Sequence, residues 1–124
     1  MPVPEPLHGH RVVAAPPVVD ALIAALPGGA TALRFAPDEA LVLAMAAVEL
    51  DDPEAIVEAE VGFVALTVAR EIIERHTEWR LPAPGEVAQG SIAGVPAKLA
   101  WLPDGRGWVV THAAYAAELE DRLR

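Results

Sequence analysis

Four histidines, one serine and one dense run of acids are the residues of this chain whose types could do chemistry. His76 and His112 are the acid/base candidates, because imidazole changes charge near neutral pH. A carboxylate partner would come from Asp51, Asp52, Glu54, Glu58 and Glu60, where paired acids could also hold Mg²⁺ or Ca²⁺. The spacing of that run is not that of an EF-hand loop, which needs a glycine at its sixth position, and a solvated acidic loop explains it as well. His8-Gly9-His10 offers two imidazoles in a short tract, but a metal site needs further ligands at fixed geometry and the chain has no cysteine. Ser91 is the only serine, and its glycines stand one before and three after it (Gly90 and Gly94). A nucleophile elbow needs them two before and two after, between strand and helix. Close backbone approach or a bulge is the better use for Gly90 and Gly94. No catalytic residue and no metal or cofactor site is therefore assigned, and the question of catalysis stays open.

Aromatic residues point to binding. Trp79, Trp101 and Trp108 make up half of the six aromatics. They serve either as core volume in an alanine-rich chain or as anchors of a protein interface, where tryptophan is enriched. Trp101 and Trp108 flank one turn and are expected as a cross-strand pair. Tyr115 joins them as an interface candidate.

The elements that must position these residues follow from length and pattern. The chain has 124 residues, enough for one domain with a real core. Residues 1–10, rich in proline, read as a flexible arm, and 11–124 as a single domain. Arg11 to Val13 reads as a short edge strand. Pro16 and Pro17 open a helix whose face is Val19, Leu22, Ile23 and Leu26, and Pro27-Gly28-Gly29 stops it. Thr31–Ala36 is a strand. Residues 37–61 are ambiguous between hairpin and helix, because an unbroken apolar run has no readable period; length and valine content favour a hairpin, with Leu41 to Met45 as its second strand. Gly62–Val68 is a buried strand, and a helix follows with Ala69, Ile72, Ile73 and His76 on its apolar face and a Glu71–Arg75 pair outside.

The last third is the clearest. Residues 87–93 and 95–102 pair around Gly94. Pro103-Asp104-Gly105 turns the chain, since proline presets φ and glycine accepts a positive value. Trp108–Val110 returns as a third strand, Thr111 caps a helix, and Tyr115, Leu119 and Leu123 stripe one face of it, with Glu118–Arg122 and Glu120–Arg124 as i,i+4 pairs. The expected class is α+β: an antiparallel sheet with three to four helices packed against it, closed by a C-terminal hairpin-strand-helix unit.

Charge narrows the partners. The net charge is −9, with Lys98 the only lysine and eight scattered arginines. Nucleic acid and anionic membrane surfaces are disfavoured, since both need clustered cations. No apolar run is long enough for a membrane span, and residues 1–6 lack a signal-peptide pattern, so the cytoplasm is expected.

Three stretches carry a resemblance. Leu33-Arg34-Phe35-Ala36-Pro37-Asp38-Glu39-Ala40-Leu41-Val42-Leu43 resembles the strand-turn-strand near the start of sarcosine oxidase gamma subunits. Ile56–Val68 with Ala69–Trp79 resembles the strand and helix that come next. Trp79-x-Leu81, Gln89–Ala97, and Gly107-Trp108-Val109-Val110-Thr111 with Tyr115 are similar to the C-terminal half of that family and to the wider aminomethyltransferase-like group. The segment 44–55 is longer than the family pattern, and no folate-binding acid or arginine can be carried over. The resemblance implies an α+β fold and a subunit that supports a partner without chemistry of its own. The expected function is therefore a non-catalytic subunit or small protein-binding module, pairing with itself as a homodimer or with a larger protein. The alternatives are a small enzyme using a His/carboxylate pair and, by the resemblance, a one-carbon or folate-type ligand-binding domain.

Overall fold

The computed structural model describes residues 4–124. Its elements are β1 (Glu5–Pro6), β2 (Gly9–Val13), α1 (Pro16–Ala24), β3 (Thr31–Ala36), β4 (Glu39–Leu43), β5 (Ile56–Glu60), β6 (Phe63–Val68), α2 (Arg70–Arg75), β7 (Ala88–Ile92), β8 (Val95–Trp101), β9 (Gly107–His112) and α3 (Ala113–Arg122). The α+β class holds, with three helices and two antiparallel sheets in place of one. The chain divides into two compact units, residues 8–61 and residues 62–124 with the described residues 4–7, where the sequence predicts one domain over 11–124.

In the first unit the strand order is β3-β4-β2-β5. Val12, Ala40 and Val57 stand opposite one another across three strands and so share a face. Val12, Ala40, Val42 and Val19 of α1 form its buried core, with Leu22 and Ile23 packed against it. The proline pair opens α1 as expected, with no side-chain cap. Arg34 ties the helix to the sheet through Asp20 and the Pro16 and Pro37 carbonyls. β2 is an inner strand rather than an edge, because β4 and β5 pair on either side of it. On the sheet's other face Arg11 donates to Glu39 at 2.7 Å and lies 3.9 Å from Glu58. The hydrogen bond to Glu39 raises the Arg11 pKa above its usual value.

The region 37–61 resolves as a hairpin, β3 turning at Pro37-Asp38 into β4, then an irregular segment and β5. The second strand lies two residues earlier than expected, and at Ala44 the backbone takes a positive φ that ends it.

The second unit holds a five-stranded sheet in the order β1-β6-β9-β8-β7. Part of the expected arm is thus strand: Glu5 and Pro6 pair with Ala65 and Val64, and Gly9 and His10 open β2. Prolines are tolerated here because β1 is an edge strand of two residues. Residues 1–3 of the expected arm lie outside the described residues. One sheet face carries Leu66, Val68, Val109, Leu99, Ala97, Val95 and Ile92, and α2 and α3 bury it with Ile73, Leu119 and Leu123. Each fully buried side chain of this size contributes about 2 kcal/mol of apolar transfer.

Turn chemistry sets the registers. Ala93 and Gly94 both have positive φ (51° and 79°), the two-residue hairpin turn whose twist matches its strands. Between β8 and β9, Leu102 and Gly105 bond across a tight loop, with Gly105 at φ 87°. There Arg106 donates to Asp104 from its side chain and backbone, holding that carboxyl below the ordinary aspartate range.

Candidate functional site

Trp101 pairs with Gly107, and Trp108 with Ala100. Directly opposed residues share a face and side chains alternate along a strand. Trp101 and Trp108 therefore lie on opposite faces, and the expected cross-strand pair does not form. The reason is the odd offset that the Leu102–Arg106 closure imposes. Trp101 packs against the buried core, donates its indole N–H to the Pro82 carbonyl at 2.7 Å, and receives the Arg70 guanidinium 4.5 Å from its ring centroid. Trp79 also packs on that core and donates to the Ser91 carbonyl at 2.7 Å. Trp108 is half-buried on the face away from the helices.

Gly90 explains how Trp79 reaches β7: a Cβ there would stand 2.6 Å from Trp79 Cε2. Close approach is thus the use of this glycine, as the sequence suggested. Trp79 lies over the outer edge of β7 and occupies a strand carbonyl that would otherwise be open to pairing. Trp79→Phe keeps most of the ring packing and leaves the Ser91 carbonyl without this donor. The expected loss is about 1 kcal/mol, read as a lower urea midpoint at unchanged slope.

His76 ends α2. Its Nδ1 lies 2.8 Å from the Ile72 carbonyl, so the proton sits on Nδ1, and Thr77 donates to the Ile73 carbonyl. The ring satisfies a carbonyl that the helix C-terminus leaves open, while the Ile73 carbonyl accepts the His76 backbone N–H as well. With Trp79, Ser91 and Gly94, His76 lines a groove of about 420 Å³.

His112 is the last residue of β9 and the N-cap position of α3. Thr111, expected as the cap, is instead a buried strand residue whose hydroxyl donates to the Pro96 carbonyl at 2.8 Å. The His112 ring stacks on Phe63 at 4.6 Å and meets Tyr115 edge-on at 6.2 Å. Tyr115 is 39% exposed; Ala116, Leu119 and Leu123 form the inner stripe in its place.

Asp51 is exposed, and Asp52 accepts the Glu54 backbone N–H at 2.9 Å, a turn-forming contact. The acidic run belongs to the first unit and both histidines to the second. Among the described residues no group of three His, Cys, Asp or Glu is placed to hold a metal ion.

Sequence reasoning missed a cleft in the second unit. Phe63, Gln89, Ser91, Pro96, Lys98 and His112 line a cavity of about 360 Å³. Its one sequence signal is Pro96, a proline inside a strand.

No family model matches the chain, and no curated protein matches it. Among solved structures, its backbone is similar to a chain of the heterotetrameric sarcosine oxidase from Corynebacterium sp. U-96, solved in complex with pyrrole 2-carboxylate. The TM-score is 0.76 at 13% identity, covering 99% of this chain and 80% of that chain. At that identity the likeness establishes the fold. No helix among the described residues is long and apolar enough to cross a membrane.

Proposed function

We propose that this chain is a non-catalytic subunit of a hetero-oligomer, of the kind represented by sarcosine oxidase gamma subunits. The observation that carries the reading is the extent of the backbone likeness: nearly the whole chain superposes on four-fifths of one chain of a heterotetramer, 99% against 80%. The quoted stretches from Leu33–Leu43 to Gly107–Thr111 favour the same family. So do the contacts of the candidate catalytic groups. His76 closes a helix end, Asp52 forms a turn and His112 stacks in an aromatic group, each a structural use.

A net charge of −9 favours a partner that meets the chain with arginine or lysine. Exposed large apolar residues available to an interface are Tyr115, Ile56 and Val61. The test is co-expression of the tagged chain with the products of the genes flanking its own. The expected result is a stoichiometric complex that survives size exclusion. A homodimer or a stable monomer that ignores those products would overturn the reading.

A further inference from the structure

The outer strand of a sheet invites pairing, and proteins blunt it with shortness, proline, a bulge, a charge or a covering side chain. The outer strands here are β1 and β7 in one sheet and β3 and β5 in the other. β1 is two residues long and ends in Pro6. β3 is bulged between Arg34 and Ala36. At β7 the Trp79 indole occupies the Ser91 carbonyl. β5 differs. It pairs with β2 from Ile56 to Glu60 without a shift of register, and it holds neither proline nor lysine.

The pairing shows which groups of β5 point outward. Ala14 donates its N–H to the Asp38 carbonyl, on the β4 side of β2. A strand residue turns its N–H and C=O to the same side, and successive residues alternate. His10 and Val12 therefore face β4, while Gly9, Arg11 and Val13 face β5. Their partners Glu60, Glu58 and Ile56 face back to β2. Val57 and Ala59 are left with N–H and C=O turned away from the sheet.

Side chains set what this edge can accept. Val57 packs against the buried cluster of the first unit, and Ala59 follows it on the same face, exposed. Glu58 is exposed on the other face. Arg11 bonds Glu39 at 2.7 Å and lies 3.9 Å from Glu58, so one guanidinium stands between two carboxylates. An added strand sets a residue directly opposite Glu58, where a cation is favourable and a like charge is not. A second copy of this chain fails that condition. Antiparallel pairing of two β5 strands through both Val57 and Ala59 puts Glu58 opposite Glu58 of the second copy.

We propose that the outer edge of β5 is a docking site for an extended segment of a partner protein, added antiparallel to the four-stranded sheet, with lysine or arginine opposite Glu58 and apolar residues opposite Val57 and Ala59. Main-chain bonds to Val57 and Ala59 hold the segment, and Glu58 selects its charge. The proposal deepens the subunit reading, on which the source of that segment rests. The edge itself is tested on this chain alone, so either can fail without the other.

The probe is the capped peptide Thr-Lys-Val-Lys-Val-Lys-Thr. One control carries glutamate for each lysine. The other carries proline for each valine, which keeps the charge and removes the main-chain donors. Titration of the ¹⁵N-labelled full chain is followed by amide shifts. The basic peptide is expected to give saturable shifts centred on Val57, Glu58 and Ala59, and to slow hydrogen exchange at the Val57 and Ala59 amides. Each control should bind at least about tenfold more weakly, a difference of about 1.4 kcal/mol. Ala59→Pro removes an outward N–H and leaves the bonds to β2 in place, a use of proline that edge strands tolerate. It should weaken the basic peptide about tenfold. Glu58→Lys gives a second reading should Ala59→Pro not fold, with a similar loss for the basic peptide and a gain for the acidic one. Absence of saturable shifts, equal binding of the proline peptide, or full affinity in the Ala59→Pro or Glu58→Lys protein would each overturn the proposal. So would shifts at Val57 and Ala59 that follow protein concentration without peptide, which would give the edge to a second copy.

Discussion

Truncating Leu99 to alanine is expected to cost about 3 kcal/mol of folding stability, within the range for emptying a buried leucine site. Leu99 lies in β8 between Ala88 of β7 and Val109 of β9, and none of its surface is exposed. Its neighbours on the same face belong to the buried cluster that α2 and α3 close over. The strands on either side are hydrogen-bonded into a ladder and cannot collapse into the space, so the cavity term adds to the lost transfer energy. Urea unfolding followed by circular dichroism measures it. A loss below about 1 kcal/mol would mean that the site is not packed as described.

Gly107→Ala carries the second large effect, by overfilling rather than emptying. A Cβ at Gly107 would stand 2.0 Å from the Ile73 Cδ1 and 3.1 Å from the Leu99 Cδ1. Ile73 is fully buried, so its methyl has nowhere to retreat without moving α2. Overpacking of this kind costs about 1–3 kcal/mol. The same geometry yields a sharper test. Ile73→Val removes the Cδ1 atom that clashes, and by itself should cost about 1 kcal/mol. In the double variant the new methyl fills the space the lost one leaves. The combined cost should therefore fall at least about 1 kcal/mol short of the sum of the single effects. Simple additivity would show that Gly107 and Ile73 do not meet.

These two residues also show what was legible in the sequence. Turn residues spoke clearly: Gly94 and Gly105 both sit at positive φ, and the unit from β7 to α3 lies where the turns put it. The hairpin at Pro37-Asp38 was favoured on length and valine content, because its turn residues suit a helix start equally well. Parity was not legible. Trp101 and Trp108 flank a turn, but their faces depend on how many residues the loop closes over, and Leu102–Arg106 closure puts them on opposite sides. Thr111 has the composition of a cap, yet β9 runs through it, because pairing with Val64 and the Pro96 carbonyl compete for it.

Non-local pairing was the other blind spot. Nothing in Glu5-Pro6 by itself suggests a strand; β6, far along the chain, makes it one. The same holds for Gly9 and His10, which are strand because β4 and β5 flank them. The division into two compact units follows from these long-range pairings, so composition shifts along the chain could not announce it.

Of the candidate site residues, Trp79 and Trp101 were readable as either core volume or interface anchors, and both pack on the buried cluster. Their indole N–H contacts to Ser91 and Pro82 were not readable, because both acceptors are backbone carbonyls. Tyr115 read as part of one stripe with Leu119 and Leu123, and Ala116 is buried in its place, with α3 beginning one residue later than a Thr111 cap would put it. The cleft at Lys98 was signalled only by a proline within a strand pattern, a mark that says where a ladder stops but not what gathers there.

The central claim is that this chain works as part of a hetero-oligomer. The most direct measurement is the molar mass, by light scattering after size exclusion, of the tagged chain purified from cells that co-express the products of its flanking genes. A single peak is expected, with a mass that exceeds that of this 13.1 kDa chain by a stoichiometric partner. A peak at the mass of the chain alone, or of its homodimer, with the co-expressed proteins eluting elsewhere, would contradict it.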